Sequence, residues 1–228
     1  MHANLEALDA VLDALPRVDQ ILVLGDIVGY GPDPNAVIER LRGARARAVM
    51  GNHDAAMLEP ALLDWFNPHA AAAARWTQEV LSPQSRRFLQ ALPKLGRIGR
   101  HRCVHGSPRK PYIWEYILDE LQALEILTRL GQRFCFFGHT HLPRIFTTEG
   151  EQVPEPGTWL PLPLSALVNP GSVGQPRDGN PDAAYAIVDL EAPAVRFGRV
   201  PYDLQKTQAK ILEAGLPAVE AARLAIGQ

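Results

Sequence analysis

Residues 21–42, ILVLGDIVGYGPDPNAVIERLR, contain the pattern that decides the fold. A short apolar run ends in Gly25-Asp26, a turn-rich segment follows, and an amphipathic helix is predicted from Pro34. Proline suits the first helical position because its missing N–H would have no partner there. Apolar runs and helices keep alternating through the first two-thirds of the chain, which predicts an α/β fold with a largely parallel sheet.

Several helices are predicted from spacing and capping residues. Leucines at helical spacing predict a first helix over residues 4–15, with Asn4 as its cap. Helical stretches are also predicted over residues 55–92, whose last part is capped by Ser82, and over residues 119–130.

The chain changes character after His141. Short strand-like runs separated by proline and glycine predict a second, mainly antiparallel sheet. The tail from Leu204 is predicted to be helical, with Gly215 and Pro217 dividing it. Since no linker is visible, we expect a single domain over residues 1–228 that contains two sheets.

Composition narrows the class of protein. The chain has 228 residues, of which 46% are hydrophobic and 21% charged, with a net charge of -2, so there is no electrostatic case for nucleic acid or an anionic membrane. Cys103 and Cys135 lie inside apolar runs, which predicts buried free thiols in a reducing compartment. Neither a signal peptide nor an apolar run of ~20 residues is visible, so we expect a cytoplasmic enzyme or binding protein.

Four apolar runs end in side chains that bind metals or transfer protons. The residues at these ends are Asp26; Asn52, His53 and Asp54; His105; and His139 and His141. The carboxyl ends of neighbouring parallel strands form one rim, so we expect these groups to converge. Gly25, Gly51 and Gly138 each precede one of them, where the backbone must bend without a Cβ in the way.

The distribution of the histidines supports a shared site. Of the seven, His2 opens the first helix and only His69 and His101 lie away from the strand ends and the first helix. For His69 and His101 we expect a solvated or capping role. A single histidine at a strand end is usually a packing residue, but four of them beside carboxylates and an amide favour a functional site.

A mixed set of carboxylate, amide and imidazole groups suits divalent metals. Oxygen donors suit Mn and Mg, and imidazole suits Zn, Fe and Ni. The set is too large for one tetrahedral zinc and contains no thiolate, which argues against a structural zinc site. Two metals that share a carboxylate would use this number of ligands and could promote an in-line phosphoryl displacement.

The motifs GD (25–26), GNHD (51–54), the single His105 and GHTH (138–141), in this order, resemble those of the calcineurin-like metallophosphoesterases. HANLEAL near the start and NPGSVGQPRDG (169–179) resemble the small bacterial and archaeal branch of that family. The resemblance covers most of the chain. It implies a four-layer α/β/β/α sandwich of two mixed sheets.

The resemblance also implies a dinuclear metal centre. Two divalent ions are expected, manganese first, with iron, zinc, nickel and magnesium as alternatives. A bridging hydroxide would attack phosphorus. The implied ligands are Asp26 for both metals; Asn52, His105 and His139 for the second metal; and His141 and His2 for the first.

Other residues would act on the substrate. His53 matches the non-ligand histidine of the family, which donates to the leaving oxygen or stabilises developing charge, and Asp54 would orient its ring. Arg177 follows a glycine-rich turn, where it is either a bidentate phosphate ligand or a surface arginine. Tyr30 is expected to pack rather than to line the pocket.

The N-terminus departs from the family pattern. The first motif of the family is Asp-x-His at the end of a first strand, whereas here Met1 stands at the middle position and His2 at the histidine. Three explanations compete. In the first explanation, the start is assigned about eight to ten residues too late, which is the length of a strand and its flank. Alternatively, the first metal site is weakened, or another segment supplies the strand and the carboxylate.

The favoured function is a dinuclear metal-dependent phosphoesterase acting on a phosphorylated small molecule or nucleotide. The alternative is a non-catalytic protein-binding scaffold of the same fold with a degraded metal site. A dinuclear hydrolase of amides or esters is a third interpretation, which fits the metals but not GNHD followed by GHTH.

Overall fold

The computed structural model describes residues 1–228. The helices are α1 (Leu5–Ala14), α2 (Pro34–Gly43), α3 (Asn52–Ala56), α4 (Pro68–Val80), α5 (Pro83–Gln90), α6 (Glu120–Leu130), α7 (Leu204–Glu213) and α8 (Ala218–Leu224), with a 3-10 helix at Pro60–Trp65. The strands are β1 (Leu22–Val23), β2 (Arg47–Ala48), β3 (Leu95–Ile98), β4 (His101–Val104), β5 (Phe134–Phe136), β6 (Pro143–Thr147), β7 (Gly150–Gln152), β8 (Trp159–Pro161), β9 (Ala166–Pro170), β10 (Ala183–Asp189) and β11 (Ala194–Val200). The predicted mixture of helices and strands is confirmed.

The strands form three sheets. A six-stranded mixed sheet has the order β3-β4-β5-β9-β6-β7, a three-stranded antiparallel sheet has the order β10-β11-β8, and β1 pairs in parallel with β2. The sequence predicted one separate sheet for the strands after His141, and this prediction is wrong. Instead β9 inserts between β5 and β6 and pairs in parallel with β5.

Hydrophobic contacts arrange these sheets into four layers. Phe136 of the six-stranded sheet packs in one cluster with Phe197 of β11 and Val49 beside β2, so the two smaller sheets share one layer opposite the large sheet. Helix α6 covers the outer face of the large sheet, and α1, α2 and α5 cover the other side. The α/β/β/α sandwich is confirmed, although its second β layer consists of two sheets.

The two cysteines lie on opposite faces of the large sheet. Cys103 packs between the β layers, and Cys135 packs towards α6. Both thiols are free and buried, as predicted. Burial raises the pKa of Cys103 to about 11, so this thiol is poorly reactive in the folded chain.

Three predicted helix starts are confirmed. The Asn4 side chain accepts from the N–H of Ala7 at 3.0 Å, Pro34 opens α2, and the Ser82 hydroxyl accepts from the N–H of Ser85 at 3.1 Å. The helical stretch predicted over residues 55–92 is confirmed in its last part, which Ser82 caps, but the part before Ser82 is not continuous. The stretch is broken by turns and by Pro60 and Pro68 into α3, the 3-10 helix, α4 and α5.

The N-terminal residues lie beside Asp26. The α-amine of Met1 donates to the carbonyl of Asp26 at 2.9 Å, and the N–H of Ala3 donates to the carbonyl of Ile27 at 2.8 Å. Strand β1 has β2 as its one strand neighbour. Of the three explanations for the N-terminus, the one in which another segment supplies the strand and the carboxylate is therefore wrong.

The C-terminal tail forms two helices, as predicted, and packs on α1. Lys210 of α7 donates to the Glu6 carboxylate at 3.0 Å, and the Thr207 hydroxyl donates to the side chain of Asn4 at 3.2 Å. Both contacts fix the tail close to the N-terminal end of α1. None of the helices has the length and apolarity that a bilayer crossing requires.

Candidate metal centre and active site

The predicted ligands come from the ends of strands in two different sheets. Asp26 follows β1 and Asn52 follows β2, whereas His105 follows β4 and His139 follows β5. The sequence predicted that these side chains lie together at one rim of a single sheet. The structure instead brings the carboxyl ends of two facing sheets together, so the site lies between the two β layers.

The first group of potential ligands is Asp26, His105 and His139. His105 Nε2 lies 3.1 Å from Asp26 Oδ2 and 3.0 Å from His139 Nδ1. His105 Nδ1 lies 2.6 Å from the carbonyl oxygen of Leu24, which can only accept, so Nδ1 carries a hydrogen. The Nε2 atom of a neutral His105 therefore presents a lone pair to the centre.

The second group is His2, Asp26 and His141, in which Asp26 is the one acidic member. The Nε2 atoms of His2 and His141 lie 3.0 Å apart, and His2 Nε2 lies 3.5 Å from Asp26 Oδ2. The Nδ1 atoms face carbonyl oxygens of Val28 at 3.3 Å and Gln175 at 2.6 Å. Both Nδ1 atoms thus carry the hydrogen of a neutral ring, and two lone pairs face each other.

The charge states of these rings favour metal binding. Burial lowers the pKa of His2 and His141 well below the ordinary value and lowers that of His139 to about 3. Burial would also lower the pKa of His105, but the Asp26 carboxylate outweighs it and raises that pKa. Three of the four rings are therefore neutral at pH 7 and available as ligands.

The donor set fits a divalent cation. Asn52 Oδ1 is buried without a hydrogen-bond partner and lines the same cavity as Asp26 and His139. Unpaired buried acceptors are costly, and facing lone pairs repel, unless a cation lies between them. Holding the outer ring nitrogen on a carbonyl is also the common arrangement around metal-bound histidines.

Backbone strain is concentrated at this site. The non-glycine residues with positive φ are His2, Ala3, Asp26, Tyr30, Arg45, Trp114, His139 and His141. Five of these eight belong to the site or line its cavity. Such conformations cost of order 1–3 kcal/mol each and occur mostly where function requires them.

His53 is buried and has no hydrogen-bond partner at Nδ1. Burial lowers the pKa of His53 to about 4. Its ring lies 4.6 Å from that of Phe66, and it approaches Gly29 so closely that a Cβ there would collide with it. The ring is therefore neutral and held by packing.

The expected contact between Asp54 and the His53 ring is absent, so that expectation is wrong. Asp54 accepts instead from three main-chain N–H groups, those of Ile27 at 2.9 Å, Val28 at 3.2 Å and Gly51 at 3.0 Å. Asp54 thus ties the turn after β1 to the turn after β2.

Arg177 lies at the cavity and is half-buried. It donates to Gln175 Oε1 at 2.8 Å and lies 3.4 Å from the Tyr30 hydroxyl, while its Nε has no partner. Tyr30, which was expected only to pack, also lines the cavity and lies 4.5 Å from the His53 ring, centre to centre.

The cavity has an aromatic side that the sequence did not reveal. Trp65 and Phe66 contribute from the break before α4, and Tyr116 stacks on His139 at 3.8 Å between ring centres. Trp65 is 87% exposed, which is unusual for this residue. Pro60 and the pair Asn67-Pro68, which flank Trp65 and Phe66, were the signals in the sequence that the helix breaks there.

The two histidines for which the sequence predicted no ligand role, His69 and His101, lie outside the site. His69 is exposed in the first turn of α4. His101 accepts from the N–H of Phe134 at 2.9 Å and stacks on that ring, which is a packing role.

Comparison with known proteins agrees with this geometry. Residues 1–193 match the model of the calcineurin-like phosphoesterase superfamily domain, and the chain belongs to this family. Members of the family use divalent metals, and the family points to a metal-dependent phosphoesterase.

Relatives match along most or all of the chain. A crystal structure of a metallophosphoesterase from Sphaerobacter thermophilus is 43% identical with a TM-score of 0.88, covering 100% of this chain and 96% of that one. The uncharacterised protein MJ0912 of Methanocaldococcus jannaschii is 37% identical over 100% of this chain and 96% of its own. The phosphodiesterase YfcE of Escherichia coli is 28% identical over 86% of each chain.

Proposed function

We propose that this protein is a dinuclear metal-dependent phosphoesterase that hydrolyses a phosphate mono- or diester. The observation that carries the proposal is the pair of facing imidazole lone pairs, His2 and His141, beside a carboxylate shared with His105 and His139. Since the ligands come from residues as far apart as His2 and His141, we propose that the chain acts as one functional unit.

The residues proposed to hold the metals fall into two sets. Asp26 serves both ions, Asn52, His105 and His139 serve one, and His2 and His141 serve the other. When bound, two divalent cations supply Lewis acidity at the phosphoryl oxygens and lower the pKa of the attacking water. Manganese is the first choice because the set mixes oxygen donors with imidazoles.

The remaining groups of the cavity act on the ester. His53 is proposed to donate to the leaving oxygen or to stabilise the charge that develops there, because its ring lies at the cavity without a competing partner at Nδ1. Arg177 is proposed to bind non-bridging phosphate oxygens through its guanidinium group, which suits two parallel hydrogen bonds.

The aromatic side chains favour an ester with a planar organic group, such as an aryl group or a nucleoside. Trp65 and Tyr116 line the cavity beside the ligands, and bases stack on aromatic rings. The relationship to a protein named as a phosphodiesterase supports a diester among the substrates.

The test is an assay of the purified chain, freed of metal and then loaded with Mn²⁺, on p-nitrophenyl phosphate and bis-p-nitrophenyl phosphate. We expect Mn²⁺-dependent turnover, and we expect Asp26→Asn and His139→Ala to lose both turnover and metal in elemental analysis. The exposed His69→Ala is the matched control and should retain both.

Two results would overturn the proposal. Turnover that survives Asp26→Asn and His139→Ala would place the chemistry elsewhere. A chain that neither binds metal nor hydrolyses either ester would favour the protein-binding scaffold.

A further inference from the structure

The C-terminal helices, which lie beyond the residues matched by the family model, place a carboxylate behind the active site. Glu220 of α8 is 1% exposed. It lies in a second, smaller cavity together with His2, Tyr30 and Gln175. A carboxyl group at this depth requires an explanation, because burying a carboxylate is costly unless it is fully paired.

Glu220 is connected to the active site through one residue. Its Oε2 accepts from Gln175 Nε2 at 3.1 Å, and Gln175 Oε1 accepts from Arg177 Nη2 at 2.8 Å. A carboxylate can only accept and a guanidinium group can only donate, so the orientation of the amide between them is fixed. Glu220 thereby holds Gln175 in the orientation that receives Arg177.

Gln175 also supports a metal-ligand candidate through its main chain. Its carbonyl oxygen lies 2.6 Å from His141 Nδ1. The side chain that receives Arg177 and the carbonyl that fixes the His141 ring therefore belong to the same buried residue. Rotation of the Gln175 side chain alone would release Arg177 and leave the main-chain carbonyl on His141.

The pairing of Glu220 is poor for a residue that serves stability alone. Its Oε1 has no hydrogen-bond partner, and the guanidinium group of Arg223 lies 3.7 Å from Oε2. A carboxylate kept for stability would be expected to have both oxygens paired. The contact that Glu220 makes well is the one that leads to Arg177.

We propose that Glu220 is a positioning residue that acts through Gln175 to hold Arg177 in the conformation that binds the substrate phosphate. This inference rests on the proposed function. It adds that the C-terminal helix α8 contributes to phosphate recognition.

The first test is a double-mutant cycle between Glu220 and Arg177. In the Mn²⁺-loaded chain, Glu220→Ala should raise KM for p-nitrophenyl phosphate about tenfold and change kcat less than about twofold, because ground-state binding is weakened. Glu220→Gln, which retains an acceptor, should have a smaller effect.

In an Arg177→Ala background, Glu220→Ala should add no further increase in KM. Glu213→Gln, an exposed carboxylate at the end of α7, is the matched control.

The second test exchanges the two partners. Gln175→Glu alone brings two carboxylates together and should raise KM. The double variant Gln175→Glu/Glu220→Gln restores a donor facing an acceptor, and should return KM to within about threefold of the original chain if the pairing is what matters.

A binding readout separates this inference from the proposed function. Calorimetry with inorganic phosphate on the Mn²⁺-loaded chain should show weaker binding in Glu220→Ala and recovery in the exchanged double variant, with metal content unchanged. If phosphate binding and KM change equally in the presence and absence of Arg177, the positioning role is wrong. If the original chain hydrolyses neither ester but these phosphate affinities change as expected, the proposed function fails and the inference survives.

Discussion

At the residue scale, the chemistry of the site depends on which nitrogen of each imidazole carries the hydrogen. The Nδ1 atoms of His2, His105 and His141 lie against main-chain carbonyl oxygens, which accept only. In its neutral form, each of these rings therefore directs Nε2 to the centre. His53 differs from these rings, because its Nδ1 has no partner and its pKa is lowered to about 4 by burial.

This difference leads to a prediction for His53. His53→Ala should lower kcat of the Mn²⁺-loaded chain by about 10²-fold or more, the usual contribution of a general acid or base. Metal content should stay unchanged, because the residue is proposed to act on the ester and not as a ligand. Steady-state kinetics and elemental analysis on the same preparation check both statements. A parallel loss of metal and activity would instead assign His53 to the metal centre.

At the scale of elements, the turns after the short strands hold the ligands, and close approach of two backbones makes this possible. A Cβ at Gly51 would collide with Asp26 Oδ1 and the Asp26 main-chain nitrogen.

We predict that Gly51→Ala destabilises the fold by about 1–3 kcal/mol, as for overpacking, and lowers metal affinity. Gly43, at the end of α2, has nothing within 4 Å of its would-be Cβ. Gly43→Ala should therefore stabilise the chain by about 0.5–1 kcal/mol. Urea unfolding and metal titration compare the two variants, and equal destabilisation would contradict the steric argument.

The features predicted correctly from the sequence are those that depend on residues close together in the chain. Asn4 and Ser82 cap helices because their side chains reach N–H groups three residues away, and such signals are visible in a short window. The insertion of β9 between β5 and β6 was not predictable, because strand order depends on pairing between distant segments. The same holds for Tyr116, which reaches His139 from a loop that Trp114 anchors by donating to the carbonyl of Met50 at 3.3 Å.

At the scale of the whole molecule, the predicted ligands lie close together, although they belong to two facing sheets and not to the single sheet that the sequence predicted. Asp26 and Asn52 belong to the layer of β1 and β2, and His105 and His139 to the large sheet. A metal bound by all four would link the two β layers across their shared hydrophobic cluster. The unfolded chain does not hold these groups together, so metal binding should add to the free energy of unfolding.

The size of this effect can be predicted. A ligand at about 100 times its Kd stabilises the folded state by about 2.7 kcal/mol, which corresponds to a rise in Tm of roughly 5–11 °C for a chain of this length. Calorimetric unfolding of the metal-free chain with and without Mn²⁺ should show this rise. Asp26→Asn should lose most of it, because Asp26 belongs to both ligand groups. His69→Ala should keep it. A rise of equal size in Asp26→Asn would mean that Mn²⁺ stabilises the chain from another position, and the two β layers would then not be linked through this centre.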